Sequence, residues 1–338
     1  MLRSRCTGCS MAAAFTHRMD PDTLRTRRER RRLELRRRRR TGAALTAMLL
    51  LSAAAAIAIA SSSGGSSASS RHGGTVTASR TRSTATRSSS ATQTVNGPPG
   101  TTPVPILMYH VIAAPPAGAP FPGLYVEPHL FAEQMQALKE AGWHAVTLDQ
   151  VEAHWRRGVP IGPDKPIVIS FDNGYQSQYT QALPVLQRLG WVGDENIQLT
   201  GLPPSQGGLG QEEIHGLVKA GWELDTQGFS HADLIALDPA QLRYQVAVAR
   251  GVVQRRYGVP VNWFCYPSGH YNAAVVAEVR AAGYTGSTTV VPGWAHPHDD
   301  PYRLHRLRVL GGTSGRQLLV LLAGIREDPP APASYGGA

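Results

Sequence analysis

Short apolar runs recur along residues 103–325, and most are followed by a stretch with helical spacing. The predicted strands are 106–111, 145–148, 167–171, 196–199, 223–226, 263–266 and 287–291, with 304–309 as a late addition. The predicted helices are 131–141, 180–189, 212–220, 239–257 and 274–282. Strand and helix alternating this often are typical of a parallel sheet or barrel. We therefore expect an α/β fold, a distorted (β/α) barrel of about seven parallel strands.

The residues before this region do not have the composition of a folded domain. Residues 1–42 form a basic leader, and residues 43–60 carry no charge over a length that just spans a bilayer core. The arginine run before them predicts a cytoplasmic N-terminus and a transmembrane helix. A cleaved signal peptide is the alternative, because Ala58-Ile59-Ala60 is typical of a cleavage site. We expect a single-pass membrane protein with an extracellular domain, or a secreted protein if cleavage follows Ala60.

Residues 61–102 are rich in Ser, Thr and Gly and contain almost no large apolar side chains. Such a segment cannot bury enough surface to fold, so it predicts a flexible, disordered linker. Residues 326–338 are predicted to form a disordered tail. The domain between them spans 103–325.

The positive charge of the chain is confined to its N-terminal part. The chain has a formal net charge of +10, and the arginines of residues 1–60 account for it. Beyond residue 100, acids outnumber bases. A basic groove for nucleic acid is therefore not expected in the folded part. Cys6 and Cys9 form a C-x-x-C pair without a second pair, and Cys265 in an apolar strand is predicted to be a core residue.

The segment from Ile167 to Tyr175 carries the strongest functional signal. A buried strand ends there in Asp172, Asn173 and Gly174. In parallel α/β folds the carboxyl ends of strands face the ligand site, so Asp172 and Asn173 are predicted to lie in a functional site.

This segment resembles the first motif of the polysaccharide deacetylase family, the NodB homology domain, which reads T/S-F-D-D-G. The resemblance implies that Asp172 is the general base and that position 173, an Asn here, is a metal-ligand position. The segment 223–234 is similar to the second motif, H-S/T-x-x-H. His231 matches its second metal-binding histidine, whereas Gln227 stands at the first.

Three further segments support the resemblance, which covers about residues 103–310. The run 104–110 resembles the opening strand of the family, 264–269 resembles the third motif, and 283–289 resembles a later strand. The arginine that some members carry in the third motif to orient the base is absent. Tyr109, His110, Tyr266 and Pro267 are the predicted substrate-binding residues.

The resemblance implies a divalent metal, zinc or cobalt, bound by one Asp and two His. Such a metal polarises the acetyl carbonyl and lowers the pKa of a bound water from about 16 toward about 7. Asn173 and Gln227 offer only neutral oxygens, so two of three ligand positions are substituted, and the alternative expectation is that this chain binds no metal.

Two hypotheses follow. The first is a hydrolase of carbon-nitrogen amide bonds that deacetylates a cell-wall or capsular polysaccharide. The second is a pseudoenzyme on the same barrel, which binds glycan or a cell-envelope partner without turnover.

Overall fold

The computed structural model of the protein describes residues 97–162, 165–200, 202, 207–326 and 330–337. The predicted leader, the apolar segment 43–60 and nearly all of the linker lie outside the described residues. Within the described part, no helix is both long enough and apolar enough to cross a bilayer.

Eight short strands form one parallel sheet. Their bounds are β1 Ile106–Tyr109, β2 Trp143–Ala145, β3 Lys165–Asn173, β4 Asp194–Ile197, β5 Glu223–Thr226, β6 Trp263–Cys265, β7 Gly286–Thr288 and β8 Leu307–Arg308. The spatial order is β7-β6-β5-β4-β3-β1-β8, and β2 pairs with β3. Every pairing is parallel. The sheet curls, and an isolated parallel bridge joins Thr288 of β7 to Leu304, three residues before β8. The predicted parallel α/β barrel architecture is confirmed.

Helices follow the strands and cover the outer face of the sheet. Their bounds are α1 Pro128–Glu140, α2 Leu148–Arg157, α3 Leu183–Leu189, α4 Gln211–Lys219, α5 Pro239–Arg243, α6 Ala249–Tyr257, α7 Ala273–Ala281 and α8 Gly315–Gly324. Single π turns at 178–182 and 244–248 precede α3 and α6. The sequence analysis missed α2 and α8. Both begin with a capping box, at Thr147 and at Ser314, which was a readable start signal.

Strand alternation in β3 separates the core from the site. Ile167, Ile169 and Phe171 pack in the apolar layer under the helices. Ser170 and Asp172 face the other way, into the barrel, where both contact Arg306. The interior of the barrel is therefore polar near the carboxyl ends of the strands.

The C-terminal residues 330–337, predicted to be disordered, are paired with the barrel. The backbone N–H groups of Tyr271 and Tyr335 each donate to the carbonyl of the other residue, at 2.7 and 2.8 Å. The hydroxyl of Tyr271 also donates to the carbonyl of Pro332 at 2.8 Å. Aromatic packing of Tyr335 on Tyr271 supplies the apolar contact that the composition of the tail did not reveal.

Candidate active site

A cavity of about 500 Å³ opens at the carboxyl ends of the strands. The four side chains that the sequence predicted to converge, at 172, 173, 227 and 231, all line it, and so does His110. The remaining lining residues are Phe121, Gly123, Leu124, Tyr175, Tyr266, Ser268, Gly269, Val290, Arg308 and Leu310.

Asp172 is held by a full set of donors. Arg306 donates from Nη1 to Oδ1 at 2.7 Å and from Nη2 to Oδ2 at 2.8 Å. Asn196 Nδ2 donates to Oδ1 at 3.0 Å, and Cys265 Sγ lies 3.5 Å from Oδ2. A carboxylate has about four lone-pair positions, so this carboxylate is saturated. A base role for Asp172 requires one of these donors to move away.

Charge pairing dominates the protonation of Asp172. Burial raises its pKa, but the charge and hydrogen bonds of Arg306 outweigh burial and hold the pKa at about 2. The guanidinium of Arg306 is fully buried, and its pKa is raised because Asp172 outweighs the effect of burial. The pair therefore remains ionised at neutral pH.

The backbone is strained around the cavity. Among the described residues, three that are not glycine have positive φ, namely Asn173 at 79°, His231 at 50° and Ser268 at 55°. All three line the cavity. Each such conformation costs about 1–3 kcal/mol, and outliers of this kind cluster at functional sites. Asn tolerates the left-handed region better than most residues, which suits position 173.

Gln227 and His231 lie on the loop that follows β5. The Gln227 side chain is 3% exposed, and its Oε1 has no hydrogen-bond partner among the described residues. Gln245 supports the loop, because its Oε1 accepts from the N–H groups of Phe229 and Ser230, both at 2.9 Å. Burial lowers the pKa of His231, although the charge of Asp172 opposes this effect.

His110 lies beside Asp172 at the end of β1. Its Nε2 is 4.0 Å from Asp172 Oδ2, and its Nδ1 is buried without a hydrogen-bond partner in the described part of the chain. Burial lowers the pKa of His110 to about 4, although Asp172 opposes the shift. The cavity therefore contains a neutral imidazole at neutral pH.

Of the three other predicted substrate-binding residues, one lines the cavity and two do not. Tyr266 lines the cavity. Tyr109 points to the opposite face of β1, where its hydroxyl donates to Gln134 Oε1 at 2.8 Å and its ring packs on Phe131. Pro267 is buried and does not line the cavity. Tyr109 turns away because adjacent residues of a strand point to opposite faces, and Pro267 begins the 3-10 turn Pro267–Gly269, so neither residue lines the cavity as predicted.

The donors at the cavity do not fit an Asp-His-His metal site. Of the three positions where the family carries metal ligands, 173 and 227 present neutral amides and only 231 retains the expected ligand type, while Asp172 is saturated. Within the described residues, the cavity does not bring three His, Cys, Asp or Glu side chains into metal-binding proximity. Neutral amide oxygens are poor partners for zinc or cobalt, which prefer nitrogen, sulfur or anionic oxygen.

Arg306 is the functional residue that the sequence analysis missed. It supplies, from the last part of the barrel, the arginine that was looked for in the third motif. A signal was present: residues 304–309 are a predicted strand that carries Arg306, and an arginine on the interior face of a strand needs a buried partner. Only the barrel's closure brings that partner, Asp172, to it.

Comparisons with known proteins agree with this geometry. Residues 161–287 match the family model "Polysaccharide deacetylase". The chain is 27% identical over 213 residues to "Putative polysaccharide deacetylase YxkH" of Bacillus subtilis (strain 168), covering 63% of this chain and 73% of that protein. It is 42% identical over 59 residues to the poly-beta-1,6-N-acetyl-D-glucosamine N-deacetylase of Escherichia coli (strain K12), covering 18% of this chain and 9% of that protein.

A solved structure extends the likeness to the whole barrel. The structure of BC0361, a polysaccharide deacetylase from Bacillus cereus, superposes with a TM-score of 0.58 at 26% identity. The match covers 66% of this chain and 69% of that one.

Asp172 at the end of β3 and His231 after β5 lie at the carboxyl ends of the strands of this barrel, where the polysaccharide deacetylase motifs predicted them. The match to the polysaccharide deacetylase family is shown for residues 161–287.

Proposed function

We propose that this chain is a polysaccharide deacetylase-like protein that binds an N-acetylated glycan of the cell envelope in the cavity. The observation that carries the proposal is the convergence of Asp172, Asn173, Gln227, His231 and His110 on one cavity at the carboxyl ends of the strands. The E. coli relative, by its name, acts on poly-β-1,6-N-acetyl-D-glucosamine, so a glycan containing N-acetylglucosamine is the substrate class that we propose.

The reaction of this class is hydrolysis of the acetamido carbon-nitrogen bond. Water adds to the acetyl carbon, the carbon-nitrogen bond breaks, the amine nitrogen gains a proton, and acetate leaves. His110 is the proton acceptor beside Asp172, because its imidazole is neutral while Asp172 is saturated by Arg306; His231 offers a second imidazole in the same cavity. The family's metal does not fit the donors at 173 and 227, so the proposed steps use only side chains of this protein and water.

The mismatch of those donors favours a second candidate, glycan binding without turnover. Buried amides such as Gln227 can hydrogen-bond to sugar hydroxyls or to an acetamido group. Asp172 and Arg306 neutralise each other, and Arg308 adds a positive charge at the wall of the cavity. A neutral or anionic glycan would therefore bind better than a cationic one.

The two candidates are separated by measuring acetate release and binding on the same preparation. The full-length chain is dialysed, its zinc and cobalt contents are measured, and it is incubated with chitin oligosaccharides and with peptidoglycan. A hydrolase releases acetate, and His110→Ala reduces the rate by about 10²-fold or more. A binder shows saturable binding with no acetate above background. If the chain neither binds these glycans nor releases acetate from them, both candidates are contradicted.

A repair variant tests the role of positions 173 and 227 directly. Asn173→Asp with Gln227→His should bind one zinc per chain, because it restores one anionic and two imidazole donors. The matched control is Gln181→His with Gln187→His, which adds histidines at exposed positions of the outer surface. One tightly held zinc in the unaltered chain would contradict the conclusion that the donors at 173 and 227 do not fit the family's metal.

Placement outside the membrane belongs to the same proposal. The apolar segment 43–60 after an arginine run supports either a membrane anchor or a cleaved leader. Both deliver the domain to wall or capsular polysaccharide.

A further inference from the structure

Three carboxylates meet inside the barrel, away from the cavity. Asp194 begins β4, and Glu223 and Asp225 belong to β5. The parallel register pairs Asp194 with Glu223 and Asn196 with Asp225, so alternation turns all three acids to the barrel interior. One oxygen of each lies within 4.8 Å of the others. We call these three residues the acidic cluster.

Each carboxylate of the acidic cluster uses one oxygen on a backbone N–H. Leu148 N donates to Asp194 Oδ2, Asp149 N to Glu223 Oε2, and Trp263 N to Asp225 Oδ1, each at 2.9 Å. These bonds tie the three side chains of β4 and β5 to two segments, the start of α2 and the start of β6.

The second oxygen of each carboxylate is buried and accepts no hydrogen bond from a donor group among the described residues, although Glu223 and Asp225 can hydrogen-bond to each other when one of them is protonated. These atoms are Asp194 Oδ1, Glu223 Oε1 and Asp225 Oδ2. Asp194 and Asp225 are 0% exposed, so water does not replace the missing partners. A buried carboxylate oxygen without a donor is strongly unfavourable, and three in one place point to a positive ligand.

No basic side chain compensates the acidic cluster in the described part of the chain. None of its members takes part in an ion pair there. The adjacent Asp149 adds a fourth carboxylate, whose oxygens accept from Asn262 at 2.7 Å and from the Trp263 indole at 3.1 Å. Burial and the neighbouring acids raise the pKa values of Asp194, Glu223 and Asp225. Ionising all three carboxyls together is therefore unfavourable unless a cation joins them.

We infer that Asp194, Glu223 and Asp225 bind a divalent cation through their unpartnered oxygens. Three oxygen donors select a hard cation, and Ca²⁺ accepts irregular carboxylate geometry more readily than Mg²⁺, which needs a near-ideal octahedron. Oxygens within 4.8 Å of one another can all reach one Ca²⁺ at 2.3–2.6 Å. The ion joins α2, β4, β5 and β6 and stabilises the barrel, independently of glycan hydrolysis.

Calcium titration of the EDTA-treated full-length chain tests this site. Calcium at about a hundred times its Kd should raise the Tm by about 5 °C or more. Asp194→Asn and Asp225→Asn should each abolish most of that shift. Glu212→Gln, which removes an exposed carboxylate on α4, is the matched control and should leave the shift unchanged.

A second measurement does not depend on how the variants fold. Terbium should bind the unaltered chain and emit under tryptophan excitation, because Trp263 is hydrogen-bonded to Asp225 and Asp149. Calcium should displace terbium at one site per chain. An unchanged Tm and no displaceable terbium would overturn the proposal and indicate that the three acids share protons instead. Equal calcium responses in the Asn variants and the unaltered chain would also overturn it.

Discussion

Asp172 and the acidic cluster are buried carboxylates in the same barrel interior, yet their protonation differs completely. Burial raises the pKa of each one. At Asp172 the guanidinium of Arg306 reverses the shift and holds the pKa at about 2. At Asp194 and Asp225, burial and the neighbouring acids raise the pKa values more than the backbone hydrogen bonds from Leu148 and Trp263 lower them. The partner, rather than burial or residue type, decides whether a buried acid is charged.

The two regions of the barrel obtain their positive charge differently. At the cavity, the chain's own Arg306 pairs with Asp172. In the acidic cluster the chain supplies only carboxyls, and we propose that a divalent cation from solution supplies the positive charge. Asn196 links the two regions, because it donates to Asp172 and pairs in register with Asp225.

Among the proposed changes, removing Arg306 should lower the free energy of unfolding the most. Arg306→Met leaves Asp172 buried and unpaired, and breaking a buried pair lowers the free energy of unfolding by about 3–5 kcal/mol. Urea unfolding of the full-length chain measures the change. Arg306→Met combined with Asp172→Leu should recover most of the loss, since no buried charge remains. A loss below about 1 kcal/mol in the single variant would show that Asp172 is not held by Arg306.

Lowering the pH should weaken the contribution of Asp172. Its pKa falls from 3.8 to about 2 on folding, so its stabilisation is present above pH 3.8 and is lost as the pH drops toward 2. The full shift corresponds to about 2 kcal/mol. The free energy of unfolding is measured for the unaltered chain and for Asp172→Asn at pH 6 and at pH 2.5. The difference between the two chains should be smaller at pH 2.5, by up to about 2 kcal/mol. A difference that does not change with pH would contradict the low pKa of Asp172.

The acidic cluster should show the opposite pH dependence when EDTA removes divalent cations. The raised pKa values of Asp194 and Asp225 mean that their contribution is present below about pH 4 and is lost as the pH rises through those values. Asp225→Asn in EDTA should therefore be more stable than the unaltered chain at pH 8, by about 1 kcal/mol, and similar to it at pH 4. Thermal unfolding in both buffers measures this. If Asp225→Asn is the less stable chain at pH 8 in EDTA, the three carboxylates do not repel one another enough to destabilise the fold.

The smallest effect is expected at the mouth of the cavity, where neither kind of buried acid is involved. Phe121 is 68% exposed and lines the cavity, so its ring is available to pack on a sugar. Phe121→Ala should weaken glycan binding by about fivefold, or about 1 kcal/mol, with little change in stability. Calorimetric titration with chitin oligosaccharides measures the Kd. Val320→Ala, at a similarly exposed position on α8, should leave the Kd unchanged.

Much of the fold was readable because local patterns repeat. The run 223–226 was predicted with the observed bounds, and 239–257 is helical over its whole length once the π turn at 244–248 is included. The helix α2 was missed because its amphipathic face was not separated from the strand before it. The strand β8 is only Leu307–Arg308, since most of the predicted run 304–309 bridges β7 and β1 without regular pairing.

For the site, the sequence by itself determined the strand-end positions of Asp172, Asn173, Gln227 and His231, because strand ends in a parallel barrel share one edge. Tertiary structure alone decided that Arg306 saturates Asp172 and that Asp194, Glu223 and Asp225 meet without a basic side chain as partner. The partners in both cases lie far apart in the chain, 134 residues for Asp172 and Arg306. Local propensity acts over a few residues, whereas the charge environment of a buried acid depends on everything the closed barrel brings within a few ångströms.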